Sequence, residues 1–118
     1  MQNFRNLQVW QKSHELTLLV YEITAEFPKE ELFGLRTQLR KTAVDIPAFI
    51  AEGCGKPRQE DFAACIGNAV GYANRLEYYA LVAVDLGLLA ADKYQILNER
   101  IVETAKMLSS FYQTLKRG

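Results

Sequence analysis

Along almost the whole chain apolar residues recur at intervals of three and four, and in one place the recurrence runs straight through a proline. Leu32, Leu35, Leu39, Ala43, Ile46 and Ile50 keep that step across Pro47. Such a period belongs to a helix with a buried stripe, not to the strict alternation of a half-buried strand. The segment therefore predicts one helix kinked at Pro47 rather than two elements. Proline has no N–H and its ring clashes with the carbonyl four residues back, so the Ala43 carbonyl loses its usual partner. A proline inside a helix costs about 3 kcal/mol. The expected compensation is a donor near Ala43, from water, another helix or another subunit, because Phe49 has nothing to donate and an ionised Asp45 only accepts.

The same spacing defines three further helices. From Leu7 to Phe27 the positions Leu7, Trp10, His14, Thr17, Leu18 and Tyr21 line one stripe, widened by Leu16, Leu19, Ile23 and Phe27. Pro28 ends this helix and Lys29 to Glu31 form the turn. At the far end of the kinked helix, Gly53 and Gly55 are expected to supply left-handed backbone, with Pro57 preventing continuation. Helix three runs from Gln59 to about Leu86, roughly 40 Å at the helical rise, on a stripe of Phe62, Ile66, Ala69, Ala73, Leu76, Ala80 and Ala83. Ala63, Ala64, Gly67 and Gly71 keep its first half slim. Gly87 fits a C-terminal cap, and Asp92 with Gln95 reads as a capping box for helix four, whose stripe is Leu97, Ile101, Ala105, Leu108, Phe111, Tyr112 and Leu115. Four long helices joined by short loops pack most simply as an all-α, up-down-up-down four-helix bundle, a single domain over residues 1–118.

Composition narrows the function classes. Fourteen basic and fourteen acidic residues cancel, so any nucleic-acid binding must rest on a local patch. The longest apolar stretch, Tyr78 to Ala91, is interrupted by Asp85 and falls short of the roughly 20 residues of a bilayer span. No charged-then-apolar leader precedes Phe4, and the protein is read as cytoplasmic. Cys54 and Cys65 lack a CxxC partner or a nearby histidine, and are read as reduced packing residues.

Catalytic chemistry finds little to stand on. The single histidine, His14, sits on the apolar stripe of helix one as a core or interface residue, and His14-Glu15 does not continue into HExxH because position 18 is Leu. No Glu-x-x-His pair supplies a di-metal site, and Ser13, Ser109 and Ser110 lack a nucleophile-elbow context. The expectation is a non-enzyme with no cofactor, metal or catalytic residue. Gly53-x-Gly55-Lys56 precedes a helix N-terminus that could hold an anion, but Glu60 and Asp61 occupy that first turn.

The functional lead is basic. Arg36 and Arg40 stand one turn apart on helix two with Lys41 adjacent, and Lys56 and Arg58 follow at its exit loop. Two readings stay open: these residues face nucleic acid, or they pair with Glu26, Glu22 and Asp45 as ordinary surface salt bridges. Tyr72, Tyr78, Tyr79 and Tyr94 offer rings for base stacking, although helical spacing and an apolar setting favour packing or subunit contact.

The motifs Phe4-x-x-Leu7-x-Val9-Trp10-x-Lys12, Phe27-Pro28-x-x-Glu31-x-Phe33-Gly34-Leu35-x-x-Gln38-Leu39-Arg40 and Ile46-Pro47-Ala48-x-Ile50-Ala51-Glu52-Gly53 occur in this order. Together they resemble the four-helix-bundle family of proteins encoded within intervening sequences of 23S ribosomal RNA genes, which includes the accessory protein of diversity-generating retroelements. The resemblance marks Pro47, Glu52 and Gly53 as structural motif residues. It implies a homo-oligomeric ring, typically of five subunits, without catalysis. In the retroelement branch it implies binding of structured RNA and a reverse transcriptase through a basic surface. The alternative is a structural or protein-interaction ring without nucleic-acid affinity. Two departures stand out: Asp45 and Phe49 replace the family's usual serine and asparagine, and Gly71-Tyr72-Ala73-Asn74-Arg75-Leu76 replaces its Gly-Ser-x-x-Glu-Leu pattern. Asp45 and Arg75 look like an exchanged pair, but Asp45 is expected level with residue 66, about 13 Å from Arg75 along the helix, so any pairing would be between subunits.

Overall fold

Leu39, Ala43, Ile46 and Ile50 are all fully buried, and one helix carries them without a break through Pro47. The computed structural model describes residues 2–31 and 34–118, and in it this helix is α2, Leu35–Cys54. Leu32, the first apolar position expected of it, and Phe33 of the second motif lie outside the described residues. The other helices are α1, Gln8–Thr24; α3, Gln59–Asp85; and α4, Ala91–Arg117, with short 3-10 turns at Phe4–Asn6 and Lys29–Glu31. No strand occurs among the described residues. Each helix packs on its neighbours in sequence, and α4 closes back on α1. The result is a square up-down-up-down bundle of 44 × 22 × 20 Å.

The carbonyl freed by Pro47 has its donor. Thr17 on α1 places Oγ1 2.8 Å from the Ala43 carbonyl, and both residues are buried. The same hydroxyl lies 3.1 Å from the Ser13 carbonyl. A hydroxyl donates one proton, and the Ala43 carbonyl, shorter in distance and lacking a helical N–H, is the acceptor in need. The proline defect is thus repaired from the neighbouring helix, and the repair locks α1 against α2.

Which face of α1 is buried differs from the stripe expected. Val9, Ser13, Leu16, Thr17, Val20, Ile23 and Thr24 point inward, while His14 is exposed and Leu18 and Tyr21 are 56% and 42% exposed. The sequence offers two apolar stripes on this helix. The hydroxyls of Ser13 and Thr24 bond carbonyls one turn back, at 2.8 and 2.7 Å, so small polar residues pass as core and the more aromatic stripe is left outside.

The glycines also act differently from expectation. Gly55 ends α2 in right-handed backbone, with φ −86° and ψ −5°. Gly53 lies inside the helix, where a Cβ would stand 2.7 Å from Cδ1 of Phe62 and 3.0 Å from Cβ of Cys65. Its work is close approach of α2 to α3, not a left-handed cap. That cap belongs to Gly87, at φ +76°. The Gly87 N–H reaches the Val84 carbonyl at 3.1 Å and the Leu88 N–H reaches the Ala83 carbonyl at 3.0 Å, the bonding of a Schellman motif. At α4 no side chain caps the helix: Ala90 is the N-cap. Asp92 lies in the first turn, where its carboxylate meets the positive end of the dipole instead of forming a capping box.

Gly53 against Phe62 and Cys65, and Phe49 with its ring 4.9 Å from Tyr72, set the α2–α3 register. Continued along the helices, it brings Asp45 level with the Tyr72–Leu76 stretch rather than residue 66, because the Gly55–Arg58 connection moves the centre of the hairpin toward α3. Asp45 nonetheless makes no ion pair with Arg75, whose guanidinium sits 4.8 Å above the Tyr72 ring.

Candidate nucleic-acid interface

The five candidate cations do not form one patch. Arg36 and Arg40 lie where α1 ends. The Arg36 guanidinium donates to the Phe27 carbonyl, leaving its Nε buried without a partner. Arg40 Nε donates to Thr24 Oγ1 at 2.8 Å and its terminal nitrogen to the Tyr21 carbonyl at 3.2 Å, with the guanidinium 4.6 Å above the Tyr21 ring. Both arginines therefore satisfy carbonyls at the α1 terminus, which carries the negative end of the helix dipole. The pairs expected with Glu26 and Glu22 do not form; Glu26 meets Lys93 of α4 at 3.5 Å. The Phe27 carbonyl beyond the helix end, the Thr24 hydroxyl and the Tyr21 carbonyl in the last turn outcompete exposed carboxylates that water already solvates.

Lys41 is exposed and is not ion-paired with Asp45. Lys56 and Arg58 lie at the opposite end of the bundle, roughly 30 Å from Arg36 at the helical rise. Lys56 stands 3.9 Å from Glu52, and Arg58 contacts Glu60 and sits 3.5 Å from Asp61. These side chains are exposed or half-exposed, so the pairs are screened and exchangeable. Of the motif residues, Glu52 also reaches the Cys65 thiol at 3.8 Å. Burial pushes the Cys65 thiol above its ordinary value, with the Glu52 carboxylate adding to the shift, and burial likewise raises Cys54.

Antiparallel packing adds cations that a reading along the chain missed. The backbone N–H of Gln2 bonds the Cys54 carbonyl at 3.2 Å, and Gln59 Nε2 donates to the Leu115 carbonyl at 2.8 Å. These bonds tie the chain before α1 and the end of α4 to the α2–α3 connection. Arg5, Lys116 and Arg117 therefore join Lys56 and Arg58 at one end, where Glu52, Glu60 and Asp61 are outnumbered. At the other end Glu22, Glu26, Glu30, Asp85 and Asp92 meet Lys29, Lys93, Arg36 and Arg40, which leaves only a slight acidic excess. A net charge of zero conceals a basic excess at one end of the bundle. Counting charges by bundle end, once the hairpins are assigned, would have found it.

His14 stacks on Trp10, ring centroids 5.0 Å apart and nearly parallel, on the outer face of α1. Among the described residues no group of three or more histidines, cysteines or carboxylates comes together as a metal site, and no helix is long and apolar enough to cross a membrane. Tyr72 packs edge-on against Phe49, whereas Tyr78 is 62% exposed.

None of the curated proteins matches the chain. Among solved structures it is similar to a protein of unknown function from the S23 ribosomal protein family of Bacteroides thetaiotaomicron, with a TM-score of 0.83 at 23% identity, covering 89% of this chain and 95% of that one. That likeness concerns the fold. The family model for 23S rRNA-intervening sequence proteins matches residues 5–110, nearly the whole bundle, and it is to this family that the chain belongs.

Proposed function

We propose that the protein is a non-enzymatic, cytoplasmic, homo-oligomeric bundle that binds RNA through its basic end, serving as an accessory to a nucleic-acid enzyme such as a reverse transcriptase. The observation that supports this reading is the basic excess at one end of a molecule with no net charge: Arg5, Lys56, Arg58, Lys116 and Arg117 against Glu52, Glu60 and Asp61. Phosphate contacts are electrostatic and indifferent to sequence. Repeating a modest basic end around a symmetry axis, as in the ring of five that the family resemblance implies, multiplies them without raising net charge.

Titration of structured RNA at two salt concentrations tests it. Affinity should fall steeply with salt, and Lys116→Glu with Arg117→Glu should weaken binding and reduce the salt slope by about one unit for each phosphate no longer neutralised. Lys93→Glu, at the acidic end, should leave both unchanged. Undetectable binding at low salt, or equal losses from the two ends, refutes the RNA reading. A structural or protein-interaction ring without nucleic-acid affinity is then favoured by the engagement of Arg36, Arg40 and Arg58 with groups of the same chain.

A further inference from the structure

The square order of the helices puts the α1/α2 face and the α3/α4 face on opposite sides of the bundle. Both carry exposed apolar side chains. On the first, Leu18, Tyr21 and Val44 are 56%, 42% and 40% exposed; on the second, Tyr78 and Leu81 are 62% and 42% exposed. The faces differ in shape. Tyr78 and Leu81 border a groove of about 300 Å³, completed by Asn74, Glu77 and Tyr94, whereas Leu18 and Tyr21 stand out from α1.

We propose that copies of this chain associate side by side, with Leu18 and Tyr21 of one bundle seated in the α3/α4 groove of the next. This rests on the homo-oligomeric part of the proposed function and names the surfaces that make it. Charge supports the match: Arg40 lies over Tyr21 and Lys41 is exposed on α2, while Glu77 lines the groove. Height supports it too. The Thr17 bond to the Ala43 carbonyl fixes α1 against α2, and the Phe49–Tyr72 and Gly53–Phe62 contacts fix α2 against α3. Carried through, these place Tyr21 level with about Tyr78 to Val82. Two different faces make a head-to-tail contact, which closes into a ring when successive copies are related by rotation alone and runs into a filament when each is also displaced along the axis. Equal height removes the rise that would make a filament, and a turn between successive copies then closes the ring. The apolar α1 stripe outside the bundle core thereby has an occupant.

Light scattering on size-separated protein tests this with Leu18→Asp and Tyr78→Asp, each checked for parent-like helix content and a cooperative thermal transition, and with Ile96→Asp as a control elsewhere on the surface. The parent and the control should oligomerise and each of the two variants should be monomeric. Mixing the two variants is the decisive arm. Each keeps one intact face, so the mixture should give a one-to-one dimer and nothing larger. A monomeric parent would refute the homo-oligomer reading itself and leave both faces to another protein. An oligomeric parent with oligomeric variants, or variants that stay monomeric when mixed, would overturn the pairing of faces while homo-oligomerisation stands.

Discussion

Thr17→Val removes the one proton that reaches the Ala43 carbonyl while keeping nearly the same volume. Ala43 and Thr17 are both buried, and Pro47 supplies no N–H in its place, so the carbonyl is left unsatisfied. A buried acceptor without a partner costs about 1–3 kcal/mol. With about 2.1 cal/mol/K of unfolding entropy per residue, a chain of 118 residues loses about 4 °C of Tm per kcal/mol, so Tm should fall by about 4–12 °C. The second half of the cycle isolates the cause. Pro47→Ala restores the N–H that a regular helix would give to Ala43, and the Thr17 hydroxyl then becomes dispensable. In that background Thr17→Val should cost less by about 1–2 kcal/mol, a coupling within the range for residues sharing one hydrogen-bond network. Thermal or urea unfolding of the four proteins, at one fixed protein concentration because assembly also stabilises, measures it. An equal loss in both backgrounds would refute the argument that Thr17 compensates for the proline.

Gly53→Ala should destabilise by about 1–3 kcal/mol because its Cβ meets the Phe62 ring and Cys65, whereas Gly71→Ala, which meets nothing within 4 Å, should stabilise by about 0.5–1 kcal/mol; a reversed order in urea unfolding would contradict the packing assigned to Gly53. Both thiols titrate above their ordinary value, so their contribution to stability is fully present below the unfolded thiol value of about 8.5 and is lost as pH rises from there through the raised folded values. Urea unfolding at neutral and alkaline pH should therefore show a shallower alkaline loss in Cys65→Ala than in the parent, and equal slopes would argue against burial as the cause.

Much of the bundle was legible because its physics is local. The three-and-four spacing of apolar residues, Gly87 after α3 and the step through Pro47 each depend on residues near in sequence, and the four helices follow from them. Even the need for a donor at Ala43 could be stated, since a missing N–H is a property of proline alone. The register of α2 on α3 was not legible, because a loop of irregular backbone sets it. The inward face of α1 was not legible either: Ser13, Thr17 and Thr24 can turn inward only when their hydroxyls find carbonyls, and for Thr17 that carbonyl belongs to another helix.

The candidate interface divides along the same line. Arg36 and Arg40 are one turn apart in any helix, but only the α1–α2 hairpin brings carbonyls near enough to draw them away from the surface. Lys56 and Arg58 gain Arg5, Lys116 and Arg117 as neighbours only because antiparallel packing returns the chain to the same end. Four helices, their approximate bounds and a proline defect demanding repair were all written into the order of residues, since each arises within a few turns of backbone. It took the packed bundle to make Thr17 the donor, to gather a basic excess at one end, and to leave an aromatic stripe of α1 outside the core. Those outcomes depend on which distant residues are brought together, and burial, hydrogen bonding and charge are decided by such neighbours.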